Sequence, residues 1–242
     1  LAFLASALPH LTPSVPFQMM ILAPSRELAL QIADVWKSMQ TGMQAVCCYG
    51  GHDKKMESNR LKSGPEVVIG TPGRLADHLR SEKIRTDDFR ILVVDEYDKA
   101  LEFGFEPTIN EALGYLPQPE KIIFVSATDQ LVMPDRFSKH HFQVVKSKLN
   151  TADKLKHLFV QGEDDNKADL LTQLLHDWND EKGIVFFNHR EAVDRMSDLI
   201  DDLGIPHDVF HGGLEQHERE RALTKLRNES VHFILSTDLA SR

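Results

Sequence analysis

Several features common in secreted and membrane proteins are missing from this sequence. Cysteine occurs only twice in 242 residues, and the two, Cys47 and Cys48, are adjacent in an apolar run, which excludes a disulfide framework within the chain. No stretch approaches the roughly 20 apolar residues that a membrane-spanning helix needs. The apolar start, residues 1–8, has no basic stretch before it and is too short for a secretion signal. These absences favour a reducing compartment, and we expect a cytoplasmic protein of which this chain is a fragment.

Positive charge is also in short supply. The chain has 28 Lys and Arg against 37 Asp and Glu, a formal net charge of -9. Residues 1–149 carry 17 of the basic and 18 of the acidic side chains, which leaves 11 and 19 for residues 150–242. Because domains that bind nucleic acid usually have a basic balance, any phosphate-binding surface on this chain must be local.

What the sequence does contain is an alternation of short apolar runs and amphipathic segments, typical of an α/β fold with mainly parallel sheets. A polar stretch interrupts this alternation, and we predict a first lobe at residues 1–146, a linker at 147–155 and a second lobe at 156–242. The predicted strands are 19–23, 45–49, 67–69, 91–94, 122–125, 158–160, 184–187, 209–210 and 233–235. The predicted helices include 27–39, 109–116, 169–178, 191–203 and 215–226.

Two adjacent carboxylates, Asp95 and Glu96, follow the apolar run 91–94. Open parallel sheets bind ligands at the carboxyl ends of their strands. In phosphoryl transfer an acid at this place holds Mg²⁺ while a second group orients the attacking water. Asp95 suits the metal role, through a bound water, and Glu96 suits the water role. The next run ends in Ser126-Ala127-Thr128, whose hydroxyls can hydrogen-bond Asp98 and relay the nucleotide state.

Each of these motifs is also compatible with an ordinary strand end, but their order is informative. After successive runs come Pro24-Ser25-Arg26-Glu27-Leu28-Ala29, Gly50-Gly51, Thr71-Pro72-Gly73-Arg74, Asp95-Glu96-Tyr97-Asp98 and Ser126-Ala127-Thr128. This series resembles motifs Ia, GG, Ib, II and III of the DEAD-box RNA helicases of superfamily 2. In the second lobe, residues 184–190 resemble motif IV, residues 211–219 the Q-x-x-R segment, and residues 237–242 the start of motif V. The resemblance covers essentially the whole chain.

The resemblance implies two RecA-like lobes that bind ATP, Mg²⁺ and a strand of RNA, and that hydrolyse ATP to remodel or locally unwind RNA duplexes. The implied catalytic residues are Asp95, Glu96, Asp98, Ser126 and Thr128. The implied RNA-binding residues are Ser25, Arg26, Gly50, Gly51, Thr71, Gly73 and Arg74 in the first lobe, and Gly212, Gln216, Arg219 and Thr237 in the second. Elementary chemistry agrees, because glycine lets the backbone approach phosphate and arginine offers a multidentate fork.

The sequence departs from the family pattern in four places. It begins just after the expected Walker A loop and stops before motif VI, so we expect a first lobe truncated at its amino end, a second truncated at its carboxyl end, and no activity from the isolated chain. Tyr97 stands where the family usually has Ala. Glu57 stands where an RNA-side Gln is common, and we expect its charge to repel a nearby phosphate.

Two other functions stay compatible with these residues. An ATP-independent RNA-binding scaffold is disfavoured because the intact Asp95-Glu96 pair would give it no benefit. A related DNA helicase is disfavoured by the joint presence of the 24–29, 71–74 and 216–219 motifs. A structural metal at the histidines of residues 207–217 is not expected, because no cysteine accompanies them and their spacing fits no zinc pattern. The sequence identifies neither the RNA substrate nor any protein partner.

Overall fold

A computed structural model describes residues 2–51, 53–128, 133–146, 156–162, 166–178 and 181–237. Contacts between Cα atoms divide the chain into two compact units, Leu1–His141 and Phe142–Arg242. The predicted linker, residues 147–155, lies outside the described residues. Within the described ranges, no helix is both long and apolar enough to cross a membrane.

The first unit contains a five-stranded parallel sheet whose strands follow the order β2-β3-β1-β4-β5. Because all five strands run the same way, the loops that leave their carboxyl ends meet at one edge of the sheet. The strands are β1 (Met19–Leu22), β2 (Ala45–Cys48), β3 (Val67–Gly70), β4 (Ile91–Val94) and β5 (Lys121–Phe124). The helices are α1 (Ala2–Ala7), α2 (Arg26–Ser38), α3 (Lys54–Leu61), α4 (Pro72–Arg80), α5 (Tyr97–Glu102) and α6 (Glu106–Gly114).

The central strands of this sheet are buried along their whole length, which is why they read as continuous apolar runs. Every residue of β1, β3 and β4 is buried, as expected for a parallel sheet covered on both faces. On one face, alternate strand residues pack against Ile32 and Trp36 of α2 in a single core cluster. The core therefore holds the sheet edge in a defined geometry.

Two of the motif loops become helix starts. The Ser25 hydroxyl accepts a hydrogen bond from the Leu28 backbone amide at 3.1 Å and so caps α2. Thr71 precedes α4, whose first residue is Pro72. Proline suits this position because amides in the first turn of a helix have no intrahelical partner, so its missing N–H costs no hydrogen bond. The first turn of a helix presents backbone amides that can bind anions.

In the described residues of the second unit, a three-stranded parallel sheet follows the order β6-β8-β7. Apolar side chains of its helices pack on both faces of the sheet in two small clusters, while Ile184 and Phe186 of β6 stay exposed. The strands are β6 (Gly183–Phe187), β7 (His207–Phe210) and β8 (Phe233–Thr237), and the helices are α7 (Lys167–Asp177), α8 (Arg190–Asp202) and α9 (Gln216–Arg227).

The predicted α/β class with mainly parallel sheets is confirmed. The strand predicted at residues 158–160 is wrong, because the structure has neither strand nor helix there and Phe159 is 95% exposed. Three consecutive apolar residues favour a strand, but only a neighbouring strand at the right distance turns that preference into pairing.

Candidate functional site

The motif loops of the first unit all leave the carboxyl edge of its sheet, and strand order sorts them into two halves. Loops after β2, β3 and β1 lie on one half, and loops after β4 and β5 lie on the other. Backbone hydrogen bonds continue into the loops, since the Ala23 amide donates to the Gly70 carbonyl at 3.0 Å and the Asp95 amide to the Leu22 carbonyl at 2.9 Å. The first residue of a loop is therefore held by the neighbouring strand.

Asp95 stands directly at the end of β4 and is buried, with 6% of its surface exposed. One carboxylate oxygen, Oδ1, accepts a hydrogen bond from the Glu96 backbone amide at 3.0 Å. Burial raises the pKa of Asp95, and the Glu96 amide opposes this shift. Carboxylate oxygen is the ligand type that Mg²⁺ prefers, so the donor at this place fits a magnesium ion.

Glu96 turns the chain from β4 into α5. Its backbone adopts the left-handed conformation, with φ 44° and ψ 50°, which is uncommon for a residue other than glycine. Such a conformation costs on the order of 1–2 kcal/mol. Backbone strain of this kind clusters at functional sites, and here it lies beside a buried carboxylate.

Tyr97, the departure from the family's Ala, packs into the interior. Its side chain is fully buried, and its ring centroid lies 4.9 Å from that of Phe124 on β5. Burial raises the pKa of Tyr97 from its ordinary value near 10 to about 12. The tyrosine therefore alters the packing beneath the loop, while Asp95 and Glu96 keep their places at the strand end.

The hydrogen bonds predicted from Ser126 and Thr128 to Asp98 are absent. Among the described residues, neither carboxylate oxygen of the buried Asp98 has a hydrogen-bond partner. The Ser126 hydroxyl instead donates to the Thr128 carbonyl at 2.9 Å and accepts the Thr128 amide at 3.0 Å. The prediction is wrong for this structure because a local turn engages the Ser126 hydroxyl as both donor and acceptor.

On the other half of the edge, the Arg26 guanidinium lies against the glycine pair Gly50 and Gly51. A β-carbon added to Gly51 would come within 2.6 Å of Arg26 Nη1, and one added to Gly50 within 3.4 Å of Nη2. Gly51 also has φ +96°, a conformation that side chains rarely adopt. The positive φ therefore favours glycine at position 51, a β-carbon there would also displace the Arg26 guanidinium, and the structure brings these three predicted residues together.

The loop after β3 meets a buried carboxylate, Glu57 of α3, which is 2% exposed. Its Oε1 accepts the Tyr49 backbone amide at 2.9 Å, and its Oε2 lies 2.6 Å from His78 Nε2 and 3.5 Å from Arg74 Nη1. The carboxylate is enclosed and faces cationic or donor groups, so the expected repulsion of a nearby phosphate stays a prediction. Thr71, which precedes α4, is half-buried, and Gly73, in its first turn, is exposed.

His78 was not among the residues predicted from the sequence, although the sequence contains a signal for it. Arg74 and His78 are four residues apart on α4 and so share a helix face. An arginine and a histidine on one helix face favour an acidic partner for that face, which in the structure is Glu57.

In the second unit, the glycines that follow β7 are ordered by His211. This buried side chain places Nε2 3.0 Å from Asp194 Oδ1, and its Nδ1 accepts the Gly213 amide at 3.2 Å. Gly212 and Gly213 are both exposed. The predicted residue Gly212 therefore lies in a turn that a buried histidine supports.

The remaining predicted residues of the second unit lie on α9 and β8. Gln216 and Arg219 are in the first turns of α9, both half-buried, and Gln216 Nε2 donates to Glu220 Oε1 at 3.1 Å. Thr237 ends the central strand and is 9% exposed. Residues 238–242, the rest of the predicted motif V, lie outside the described residues.

Comparison with known families identifies the family of this chain. A family described as DEAD/DEAH box helicase matches residues 1–134, and one described as helicase conserved C-terminal domain matches residues 166–242. The chain belongs to the DEAD/DEAH box helicase family. Relatives named ATP-dependent RNA helicase eIF4A from Neosartorya fischeri and Aspergillus fumigatus are each 32% identical over 248 residues, which cover 99% of this chain. This helicase chain spans 62% and 61% of their lengths.

Solved structures of the family share the fold of this helicase chain. The structure of S. cerevisiae Dbp5 bound to RNA and ADP BeF3 matches with a TM-score of 0.76 and 22% identity, covering 100% of this chain and 63% of that one. A DEAD box protein from the hyperthermophile Methanococcus jannaschii matches with a TM-score of 0.54 and 24% identity, covering 100% and 66%. The predicted parallel α/β architecture of the RecA-like kind is confirmed by these likenesses.

Proposed function

We propose that this chain works in an ATP-dependent RNA helicase, which hydrolyses ATP to remodel or locally unwind RNA duplexes. The observation that carries the proposal is the division of one sheet edge. The buried carboxylate Asp95 and the strained Glu96 follow β4, while Arg26 and Arg74 lie among exposed or half-buried glycines after β1, β2 and β3. An RNA-dependent ATPase needs a nucleotide half, where phosphate is transferred, beside an RNA half, where RNA phosphates are bound.

Residues 1–146 form the ATP-binding lobe in this proposal, residues 147–155 the linker and residues 156–242 the C-terminal lobe. The separate family matches to residues 1–134 and 166–242 support the division. So do the two compact units, each of which has its own parallel sheet.

On the nucleotide half, Asp95 would hold a magnesium ion, through water, and Glu96 would orient the attacking water and accept its proton. When bound, Mg²⁺ supplies positive charge against the charge that develops on the transferred phosphate. Burial raises the pKa of Asp95, so a cation bound beside it would favour the charged carboxylate. Asp98, Ser126 and Thr128 complete this half.

On the RNA half, arginine side chains contact phosphates while the exposed glycines let the strand approach. Contacts of this type position a nucleic acid without reading its bases, which suits an enzyme that acts on many RNA sequences. Each unit contributes its own surface. The residues are Ser25, Arg26, Gly50, Gly51, Thr71, Gly73 and Arg74 in the first unit, and Gly212, Gln216, Arg219 and Thr237 in the second.

The test is RNA-stimulated phosphate release by a polypeptide in which this chain is flanked by the family's Walker A loop and motif VI. Glu96→Gln keeps the shape of the side chain but removes its ability to accept a proton, so we expect turnover to fall about 10²–10⁴-fold. ATP and RNA affinities should stay near those of the wild type. Glu102→Gln changes an exposed carboxylate at the end of the short helix that follows Glu96; it is the matched control and should leave turnover unchanged.

Three outcomes would contradict the proposal. Equal turnover in Glu96→Gln would remove Glu96 from the water-positioning role. RNA binding by the wild type with no phosphate release would favour the ATP-independent scaffold. Faster release with single-stranded DNA than with RNA of the same sequence would favour a DNA helicase.

A further inference from the structure

Glu57 connects two loops of the RNA half that are far apart in sequence. Its Oε1 accepts the backbone amide of Tyr49, the residue before the glycine pair, at 2.9 Å. Its Oε2 faces Arg74 Nη1 at 3.5 Å and His78 Nε2 at 2.6 Å. A carboxylate can accept about four hydrogen bonds, so one buried side chain can hold all three groups at once.

Through Tyr49, the carboxylate also affects the position of Arg26. Gly50 and Gly51 follow Tyr49 directly, and the Arg26 guanidinium packs against both of them. A shift of the glycine pair by a few tenths of an ångström would therefore move the surface against which Arg26 rests. Glu57 thus acts on one arginine directly and on the other through backbone.

We propose that Glu57 is a positioning residue that holds Arg26 and Arg74 in the arrangement that binds RNA phosphates. The inference rests on the proposed function. A guanidinium carries five donors in a fixed fork, so Arg74 can be held on one edge by Glu57 while another edge faces a phosphate. The side chain of Arg74 keeps 13% of its surface exposed, and that of Glu57 only 2%. The carboxylate therefore lies behind the arginine and does not compete at the surface.

The same neighbourhood offers a second interpretation, which the geometry disfavours. Cys48, Glu57 and His78 place possible metal ligands within 4.8 Å of one another. The 2.6 Å between Glu57 Oε2 and His78 Nε2 is, however, a hydrogen-bond distance. Zinc ligands lie about 2.0–2.3 Å from the ion, so two ligand atoms around a tetrahedral zinc are farther apart than this. Arg74 adds a positive charge at the same carboxylate oxygen. Burial also raises the pKa of Cys48 far above its usual range, which keeps the thiol protonated. An ion pair network accounts for these distances directly.

The test is the affinity for labelled single-stranded RNA of the polypeptide described above, in which this chain is flanked by the family's Walker A loop and motif VI, measured by fluorescence anisotropy at low ionic strength. Glu57→Gln preserves shape and an acceptor for the Tyr49 amide but removes the charge that faces Arg74. We expect RNA binding about tenfold weaker, the effect of losing one charge-assisted contact. The slope of log affinity against log salt should flatten by about 0.7, the value of one phosphate contact on a single strand. A loss of folded protein alone would leave that slope unchanged.

Glu66→Gln is the matched control, because Glu66 is also buried and also accepts two loop amides, those of Ser14 at 2.8 Å and Gln44 at 2.7 Å. It precedes β3 and therefore lies at the opposite edge of the sheet. We expect it to lower the thermal midpoint without changing RNA affinity at temperatures where the protein is folded. In the double variant Glu57→Gln with Arg74→Ala, the loss should be less than the sum of the two single losses.

Equal or tighter RNA binding by folded Glu57→Gln would overturn the inference, since a repelling or uninvolved carboxylate predicts that result. Strictly additive losses in the double variant would also overturn it. Failure of the proposed function is a separate result, because it would appear as no RNA-stimulated phosphate release by this polypeptide. The inference fails when phosphate release is normal and the RNA affinity of Glu57→Gln equals that of the wild type.

Discussion

Replacing Tyr97 by alanine, the residue usual at this place in DEAD-box sequences, should destabilise the first unit rather than improve it. The tyrosine is fully buried, its ring packs 4.9 Å from Phe124, and Phe124 in turn packs 6.2 Å from Phe137. Truncation would leave a cavity in this aromatic cluster. Large aromatic to alanine changes in cores cost about 3–5 kcal/mol. At roughly 2–4 °C per kcal/mol for a unit of this size, the thermal midpoint should fall by roughly 10 °C.

Urea unfolding followed by the fluorescence of Trp36 measures this effect, because Trp36 is buried in the core of the first unit. Trp178, in the second unit, is replaced by Phe in every variant so that its emission does not interfere. Tyr115→Ala is the control, since that ring is 42% exposed and should cost less than about 1 kcal/mol. A midpoint for Tyr97→Ala within error of the wild type would refute the claim that this ring fills the interior beneath the acidic loop.

Three further predictions follow from single features. Tyr97 has a pKa of about 12 in the folded protein against about 10 when unfolded, so the stability that comes from its neutral hydroxyl is fully present below pH 10 and should be lost between pH 10 and 12. Urea titrations at each pH measure this loss, and Tyr97→Phe should not show it. Gly51→Ala and Gly104→Ala both place alanine at positive φ, but only Gly51 lies against Arg26; both should lower the melting temperature, and only Gly51→Ala should weaken RNA binding in anisotropy titrations. Arg219→Ala should weaken RNA binding by a similar factor for two unrelated sequences and reduce the salt slope by about 0.7; an unchanged slope would exclude Arg219 from phosphate contact.

The parallel sheets were predictable because burial on both faces leaves a direct trace in the sequence. The run Ile91–Val94 is apolar throughout, and the structure has a strand with those same bounds. The run at residues 158–160 looked similar, but these residues are exposed in the structure. The sequence alone does not show whether a neighbouring strand lies close enough to pair. Local composition therefore predicts which segments can pair, and three-dimensional placement decides which of them do.

The site was predictable to the level of loops and not to the level of contacts. Motif order placed Asp95, Glu96, Arg26 and Gly51 correctly at one sheet edge, because parallel strands bring their carboxyl ends together. The burial of Glu57 could not be predicted, because glutamate on a short polar helix is normally exposed. Only the approach of a second helix with Arg74 on its face makes an enclosed carboxylate stable there.

The order of strands in the first sheet also determines the separation between the nucleotide half and the RNA half of its edge. The loop that holds Asp95 and the loop that holds Arg26 leave the neighbouring strands β4 and β1, whose axes are about 4.8 Å apart in any sheet. Communication between nucleotide and RNA then needs no chain of distant residues, because one shared ladder of hydrogen bonds joins the two loops. Linkage between binding sites is reciprocal, so under the proposed function RNA would tighten ATP binding by the same factor by which ATP tightens RNA binding. Substitutions in β1 itself would change that factor while touching neither ligand.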